Sequence, residues 1–182
     1  SLLDGQWEEQ KDNIREQLNR EETLPMIEGS VEEIRAALLE KVKMVAASGM
    51  MQTAFSKANG GSGEAHVGIL GLDLLGQFNG SLAIKSGVQF GLWGGAVDVL
   101  GTERHREYAQ GAMDLSKLGS YGMTERGHGS NVQELETTAT YDPETQEFVI
   151  NSPSPSATKV YIGNTARDGR WSAVFAQLYT PG

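Results

Sequence analysis

Up to about Lys117 the apolar residues of this 182-residue chain recur at helical spacing, and beyond it they fall at every second position. Helical spacing buries one stripe of a helix, and alternation buries one face of a strand. A chain that changes period midway builds helices first and strands second, which predicts an α+β organisation with a boundary near Lys117. The expected units are an N-terminal α-helical domain over residues 1–116 and a β domain begun over residues 117–182. The β unit reads as incomplete, because few strands are available and the sequence stops directly after one.

The helical half divides at local signals. Asp4 is placed to cap a helix beginning near Gly5, with Trp7, Lys11, Ile14 and Leu18 on one face and the Lys11 stem laid along it. That helix should stop before Pro25, which pushes Leu24 out of the α region. Ser30-Val31-Glu32-Glu33 reads as a capping box opening a second helix to about Ser48, striped by Val31, Ile34, Leu38, Val42 and Val45. Lys57 to Glu64 is a loop, and His66 to Phe78 a glycine-containing helix with Val67, Leu70, Leu74, Leu75 and Phe78 near one face. Gly80 to Leu100 is apolar nearly all round. Lys85, Gln89, Asp98 and four internal glycines argue for a buried helix in close helix contact and against a membrane span. Thr102 is expected to cap a last helix, Glu103 to about Ala112.

In the second half, Leu135, Thr137, Ala139 and Tyr141 alternate with Glu136, Thr138 and Thr140. Asp142-Pro143-Glu144-Thr145 has the residues of a type I turn, and Gln146 to Asn151 returns as the partner strand of a hairpin. Ser152 to Ser156 is a loop. Thr158 to Ile162 and Trp171 to Tyr179 are further expected strands.

Composition excludes several chemistries. The net charge of −9 argues against a nucleic-acid partner, since phosphate contacts need a basic surface. Without cysteine there is no disulfide framework, thiolate nucleophile or Cys-based metal site. His66, His105 and His128 are not at metal-ligand spacing, and at least two of them are expected at the surface. No dinucleotide-binding glycine fingerprint or P-loop occurs. Ser130 beside His128 lacks the Gly-x-Ser-x-Gly elbow of a hydrolase.

Ser120 to Asn131 joins the two halves. Gly127 and Gly129 permit unusual dihedrals or close approach to a ligand, and Thr124 and Ser130 add hydroxyls. Such a turn can cradle an anionic or carbonyl-rich ligand through its N–H groups, or can be an ordinary glycine-rich connection.

Tyr121-x-x-Thr124-Glu125-x-x-x-Gly129-Ser130 resembles the flavin-binding signature of the acyl-CoA dehydrogenases. Thr124 to Asn131, followed by Leu135-Glu136-Thr137-Thr138-Ala139-Thr140-Tyr141-Asp142-Pro143 and Gln146 to Pro153, is similar to the acyl-CoA oxidase branch. The likeness is strong over the second half of the chain and loose over the first. It implies a β-barrel-like middle domain, of which this N-terminal piece would hold only the opening, and FAD as cofactor. Within the signature it places Tyr121, Met123, Thr124, Gly129 and Ser130 at the flavin, with Met123 and Thr124 supplying main-chain donors and a hydroxyl to its pyrimidine edge. Ser130 is implied near the flavin pyrophosphate and the acyl-CoA. Tyr161 and Gly163 stand where the dehydrogenases usually carry Trp and Thr; the glycine suits the oxidase branch, and its missing side chain is expected to leave room near the ring. Arg126 and Asn131 replace the usual Pro and Asp.

The reaction so implied is α,β-desaturation of an acyl-CoA, with molecular oxygen as acceptor and hydrogen peroxide as product. The family's catalytic glutamate lies in a C-terminal helical domain, so no base is assigned here. Glu125 is expected to be structural, and this chain alone to be inactive. The resemblance further implies a homodimer or homotetramer at full length, in the cytoplasm of a bacterium or the peroxisomal matrix of a eukaryote. The alternatives are a dehydrogenase feeding an electron-transfer flavoprotein, and a non-catalytic module of the same fold.

Overall fold

The computed structural model describes residues 4–18 and 28–181. Helix α1 (Glu8–Leu18) follows a 3-10 turn at Gly5–Trp7. Asp4 does not cap it through its side chain: the carboxylate accepts two hydrogen bonds from Arg15, at 2.7 and 3.1 Å, and sits 3.5 Å from Lys11 Nζ. Ion pairing outcompeted the capping geometry because Asp4 is buried beside two cations. Lys11, Ile14 and Leu18 are buried as their spacing requires, whereas Trp7 is half-buried. The expected stop before Pro25 lies outside the described residues.

Helix α2 (Val31–Ala47) opens on the capping box, with Glu33 N–H donating to Ser30 Oγ at 3.3 Å and Ser30 N–H to Glu33 Oε2 at 2.8 Å. Leu38, Val42 and Val45 are buried, and Val31 is exposed. Lys57–Glu64 is irregular apart from a single 3-10 turn at Lys57–Asn59. Helix α3 (Ala65–Phe78) puts Leu74 and Leu75 in the core, leaving Phe78 exposed. Each such fully buried aliphatic side chain contributes about 1.5–3 kcal/mol.

Residues 80–100 form one helical run with a changed pitch in the middle: α4 (Gly80–Ser86), a π-helical segment (Gly87–Gly94) and α5 (Gly95–Leu100). Its three polar interruptions tie it to three distant segments. Lys85 Nζ pairs with Asp168 at 2.6 Å and donates to Asn164 Oδ1 at 3.0 Å. Gln89, fully buried, donates to the carbonyls of Ala112 (3.0 Å) and Lys117 (3.1 Å) and accepts from Gly119 N–H (3.0 Å). Asp98 accepts from Ser56 N–H and Oγ and from Asn59 Nδ2, at 3.0, 2.7 and 2.7 Å. The expected burial all round does not hold, since Ile84 is 72% and Val99 78% exposed. No helix among the described residues is long and apolar enough to cross a membrane.

A 3-10 turn at Glu103–His105 leads into α6 (Arg106–Met113), so the predicted last helix begins as a tighter coil. His105 Nδ1 receives the Thr102 N–H at 3.0 Å, the reciprocal half of a cap that a Glu usually supplies.

The strands form two small sheets. β1 (Gly119–Gly122) pairs in parallel with β4 (Trp171–Val174); β2 (Thr138–Asp142) lies between antiparallel β3 (Glu147–Asn151) and parallel β5 (Gln177–Tyr179). The predicted hairpin is present, with Asp142 opposite Glu147 and Glu144 N–H held by Asp142 Oδ1 at 2.9 Å. Two strand expectations are corrected. Thr158–Ile162 makes a single antiparallel bridge, Lys159 with Glu125, because Tyr161 turns to a positive φ of 58°. Trp171–Tyr179 breaks at Phe175–Ala176, which lets one stretch of chain leave β1 and join β2. The first strand of the hairpin starts at Thr138 rather than Leu135, because Leu135 follows a 3-10 turn at Val132–Glu134. The fold is mixed α and β, but no closed barrel forms among the described residues: five short strands in two sheets do not encircle a core.

β1 lies flat on the central helix. A Cβ on Gly119 would fall 2.3 Å from the Trp93 ring, so only glycine lets the strand start there. Trp93 Nε1 and Gln89 both donate to the Lys117 carbonyl, which fixes where the chain leaves the helices.

Candidate functional site

The turn after β1 is built around a buried carboxylate. Glu125 is 1% exposed. It accepts from the N–H groups of Glu136 and Thr137, both at 2.9 Å, faces His128 Nδ1 at 3.1 Å, and lies 3.2 Å from Lys159 Nζ. Burial pushes its carboxyl up, but these donors outweigh burial and hold the pKa at about 2. The carboxylate is ionised and its acceptor directions are taken, so its role is to close the turn. Main-chain bonds finish the closure: Glu125 N–H to His128 C=O (3.1 Å), His128 N–H to Glu125 C=O (3.2 Å), and Gly127 N–H to Ser156 C=O (2.9 Å).

A second carboxylate stands behind the first. Glu136 accepts from the hydroxyls of Ser154 and Ser156 and lies 3.8 Å from His128 Nε2. The serine hydroxyls pull its pKa down. His128 is thus turned between two carboxylates, away from a hydrolase pairing with Ser130. Only His66 of the three histidines is exposed, against the expectation of two. Among the described residues no group of His, Cys, Asp or Glu is placed to hold a metal ion.

The residues singled out in the sequence divide into an inner and an outer set. Tyr121 is half-buried on β1, its ring 4.8 Å from Phe175. The carbonyl of Met123 accepts from Lys159 Nζ at 2.9 Å, and that of Thr124 from Val160 N–H at 3.1 Å. Their N–H groups, and Thr124 Oγ1, have no hydrogen-bond partner among the described residues. The Thr124–Val160 bond brings the next residue, Tyr161, alongside; its ring is 96% exposed. A bulky residue at positive φ costs about 1–2 kcal/mol, so the surroundings hold the backbone there against its local preference.

Gly129 and Ser130 form the outer set, both exposed, and a Cβ at Gly129 would meet nothing within 4 Å. Neither Gly127 nor Gly129 takes a positive φ; Gly127 serves close approach instead, since a Cβ there would lie 2.9 Å from Ser156 Cβ. At Gly163 the expected room is taken: a Cβ would sit 3.0 Å from Val88 Cγ2 on the π-helical segment. The glycine serves helix contact because Lys85 and Asn164 draw this loop onto the helix.

Lys159 is the residue that sequence reasoning missed. Its side chain is 16% exposed, and Nζ reaches Met123 C=O, Phe175 C=O and Glu125 at 2.9, 2.8 and 3.2 Å. Nothing local in Thr158-Lys159-Val160 marks it, because all three acceptors come from other segments. Elsewhere, an apolar cleft of about 600 Å³ opens between Trp93, Val97, Leu100, Tyr108, Trp171 and Phe175. None of the singled-out residues lines it, so the turn and not the cleft is the candidate site.

No family profile matches the chain. Over 111 residues it is 50% identical to the peroxisomal acyl-coenzyme A oxidase 2 of Arabidopsis thaliana, covering 60% of this chain and 16% of that protein. The chain thus spans about a sixth of the length of that relative. The crystal structure of acyl-CoA oxidase 1 from Yarrowia lipolytica superposes with a TM-score of 0.78 at 28% identity, over 94% of this chain and 24% of that one. The same fold, at 22% identity and a TM-score of 0.77, occurs in the acyl-CoA dehydrogenase complexed with FAD from Bacillus anthracis, over 93% of this chain and 28% of that one.

Proposed function

We propose that this chain, homologous to acyl-CoA oxidases over part of its length, is the N-terminal piece of an FAD-dependent acyl-CoA oxidase and supplies the wall and donors on which the flavin rests. The observation that carries the reading is the inner set of the turn. Two main-chain N–H groups and one hydroxyl, on Met123 and Thr124, are left unpaired among the described residues, while the carbonyls of the same residues are engaged, that of Thr124 by Val160, the residue before the exposed Tyr161. Such a surface fits a flat, carbonyl-edged heteroaromatic: donors meet the pyrimidine edge, and the Tyr161 ring lies beside it.

Bound FAD supplies hydride acceptance from the β-carbon of an acyl-CoA and, in an oxidase, delivery of the electrons to oxygen. The chain's part is binding and electrostatics. Donors from Met123 and Thr124 stabilise negative charge at the edge they touch, which favours the reduced cofactor. Tyr121, packed on Phe175, stiffens the strand that presents them. Gly129 gives open approach and Ser130 a hydroxyl on the outer arm, for the pyrophosphate and the acyl-CoA. Glu125 is closed to proton abstraction by its four donors, so the base comes from outside this chain, and the chain alone turns nothing over. Gly163 contributes main chain at the flavin with Val88 behind it.

Two units, meeting near Lys117, complete the reading. The full-length protein is then a homodimer or homotetramer, peroxisomal in a eukaryote and cytoplasmic in a bacterium. The test is turnover by the full-length protein with an acyl-CoA under air. Peroxide formed in step with enoyl-CoA supports the oxidase. Product formed only when an electron-transfer flavoprotein is added supports a dehydrogenase, and flavin binding without bleaching by substrate supports a non-catalytic module.

A further inference from the structure

The Lys159 ammonium has three protons and meets three acceptors, two in the turn after β1 and one at the end of β4. One is Phe175 C=O, at the break where the chain changes sheets and where the ladder offers that carbonyl no strand partner. One is the Glu125 carboxylate, which makes the buried charge affordable. The third is Met123 C=O. The Met123–Thr124 peptide is trans, so its carbonyl and its N–H point in opposite directions. Pinning the carbonyl on one side fixes the Thr124 N–H on the other. The following peptide is fixed independently, by Val160 N–H on Thr124 C=O and by Glu125 N–H on His128 C=O. The Met123 carbonyl is held by Lys159 alone among the described residues.

We propose that Lys159 is a positioning residue: by holding the Met123 carbonyl it aims the Thr124 N–H at the edge of the bound flavin, and so sets both the grip on the cofactor and its reduction potential. The inference rests on the flavin reading given above. Without the ammonium, the peptide is free to rotate and present a carbonyl where the donor stood. An acceptor facing the edge opposes negative charge on the reduced ring, so the potential falls. Residues that merely support the fold weaken binding through global stability and leave the potential of bound flavin in place.

The experiment uses the full-length protein, stripped of cofactor and titrated with FAD, as wild type and as Lys159→Met, Lys159→Arg and Lys43→Met. Lys43 is an exposed helix residue paired with Glu40 at 2.8 Å and serves as control. Each form that binds is then titrated for its flavin midpoint potential. The expectation is that K159M binds FAD about tenfold or more weakly, the loss of one charge-assisted contact, with a more negative potential. K159R, which keeps the charge but not a single nitrogen facing three acceptors, should fall between, and K43M should match wild type. Should K159M fail to fold, K159R decides alone. A folded K159M or, in its absence, K159R with wild-type affinity and potential overturns the proposal and leaves the flavin reading intact. Wild-type protein that takes up no FAD overturns the flavin reading, and the proposal with it.

Discussion

Val88 Cγ2 stands 3.0 Å from where a Cβ on Gly163 would be, so the loop after Tyr161 and the π-helical segment touch with no space for a side chain between them. Gly163→Thr therefore has to displace Val88 or the loop. The expected cost is about 1–3 kcal/mol of stability, the usual penalty for overpacking, read from urea unfolding. Val88→Ala in the same chain should return part of that loss. Strictly additive effects of the two substitutions would mean that the contact does not govern this position.

Glu125→Gln removes the charge that Lys159 and His128 face while nearly keeping the volume. Breaking a buried pair leaves its partner uncompensated, and about 3 kcal/mol is the expected loss. Chemical denaturation of both proteins at neutral pH measures it. A variant as stable as the parent would show that the carboxylate does not organise the turn.

Acid should act through the same group. Its pKa is about 2 in the folded protein against an ordinary 4.5, so the folded state favours the ionised form. The stabilisation is fully present above 4.5 and is lost progressively as the pH falls from 4.5 towards 2. Asp4, lowered from 3.8 to about 2 chiefly by the Arg15 hydrogen bonds, adds in the same direction. The unfolding midpoint should drop across that window in the parent and drop less steeply in Glu125→Gln. Parallel pH curves for the two would remove Glu125 from the account of acid sensitivity.

Gln89→Met keeps the length of the side chain and strips both ends of its clamp. Three main-chain groups, at Ala112, Lys117 and Gly119, lose a partner. Since Trp93 still donates to Lys117, the orphans are chiefly Ala112 C=O and Gly119 N–H. About 2 kcal/mol or more should be lost, and amide exchange at Gly119 should quicken. Unchanged protection there would contradict the role given to Gln89.

What was legible in the sequence is what neighbours along the chain decide. The Ser30–Glu33 cap and the hairpin through Asp142 need only residues a few positions apart, and both are in place. The polar residues of the central helix were visible, but only as breaks in an apolar run: the partner of Lys85 is 83 residues away and that of Asp98 is 42, beyond any local pattern. Thr158–Ile162 alternates like a strand, yet Tyr161 takes a positive φ because the loop is drawn down on Val88 and Lys85. The split of 171–179 between two sheets is likewise a tertiary choice, since Ala173-Val174-Phe175-Ala176 carries no glycine, proline or other turn signal. At the site, the donors on Met123 and Thr124 follow from the motif, whereas the place of Lys159 is defined only by acceptors on two other segments, the turn at Met123 and Glu125 and the end of β4 at Phe175.

The most direct test of the central claim is a crystal structure of the full-length protein prepared with excess FAD, with the visible spectrum of the same sample. The account predicts a yellow protein holding one flavin per chain, its pyrimidine edge on the N–H groups of Met123 and Thr124 and its ring beside Tyr161. A colourless protein, or a flavin bound away from that turn, would contradict it.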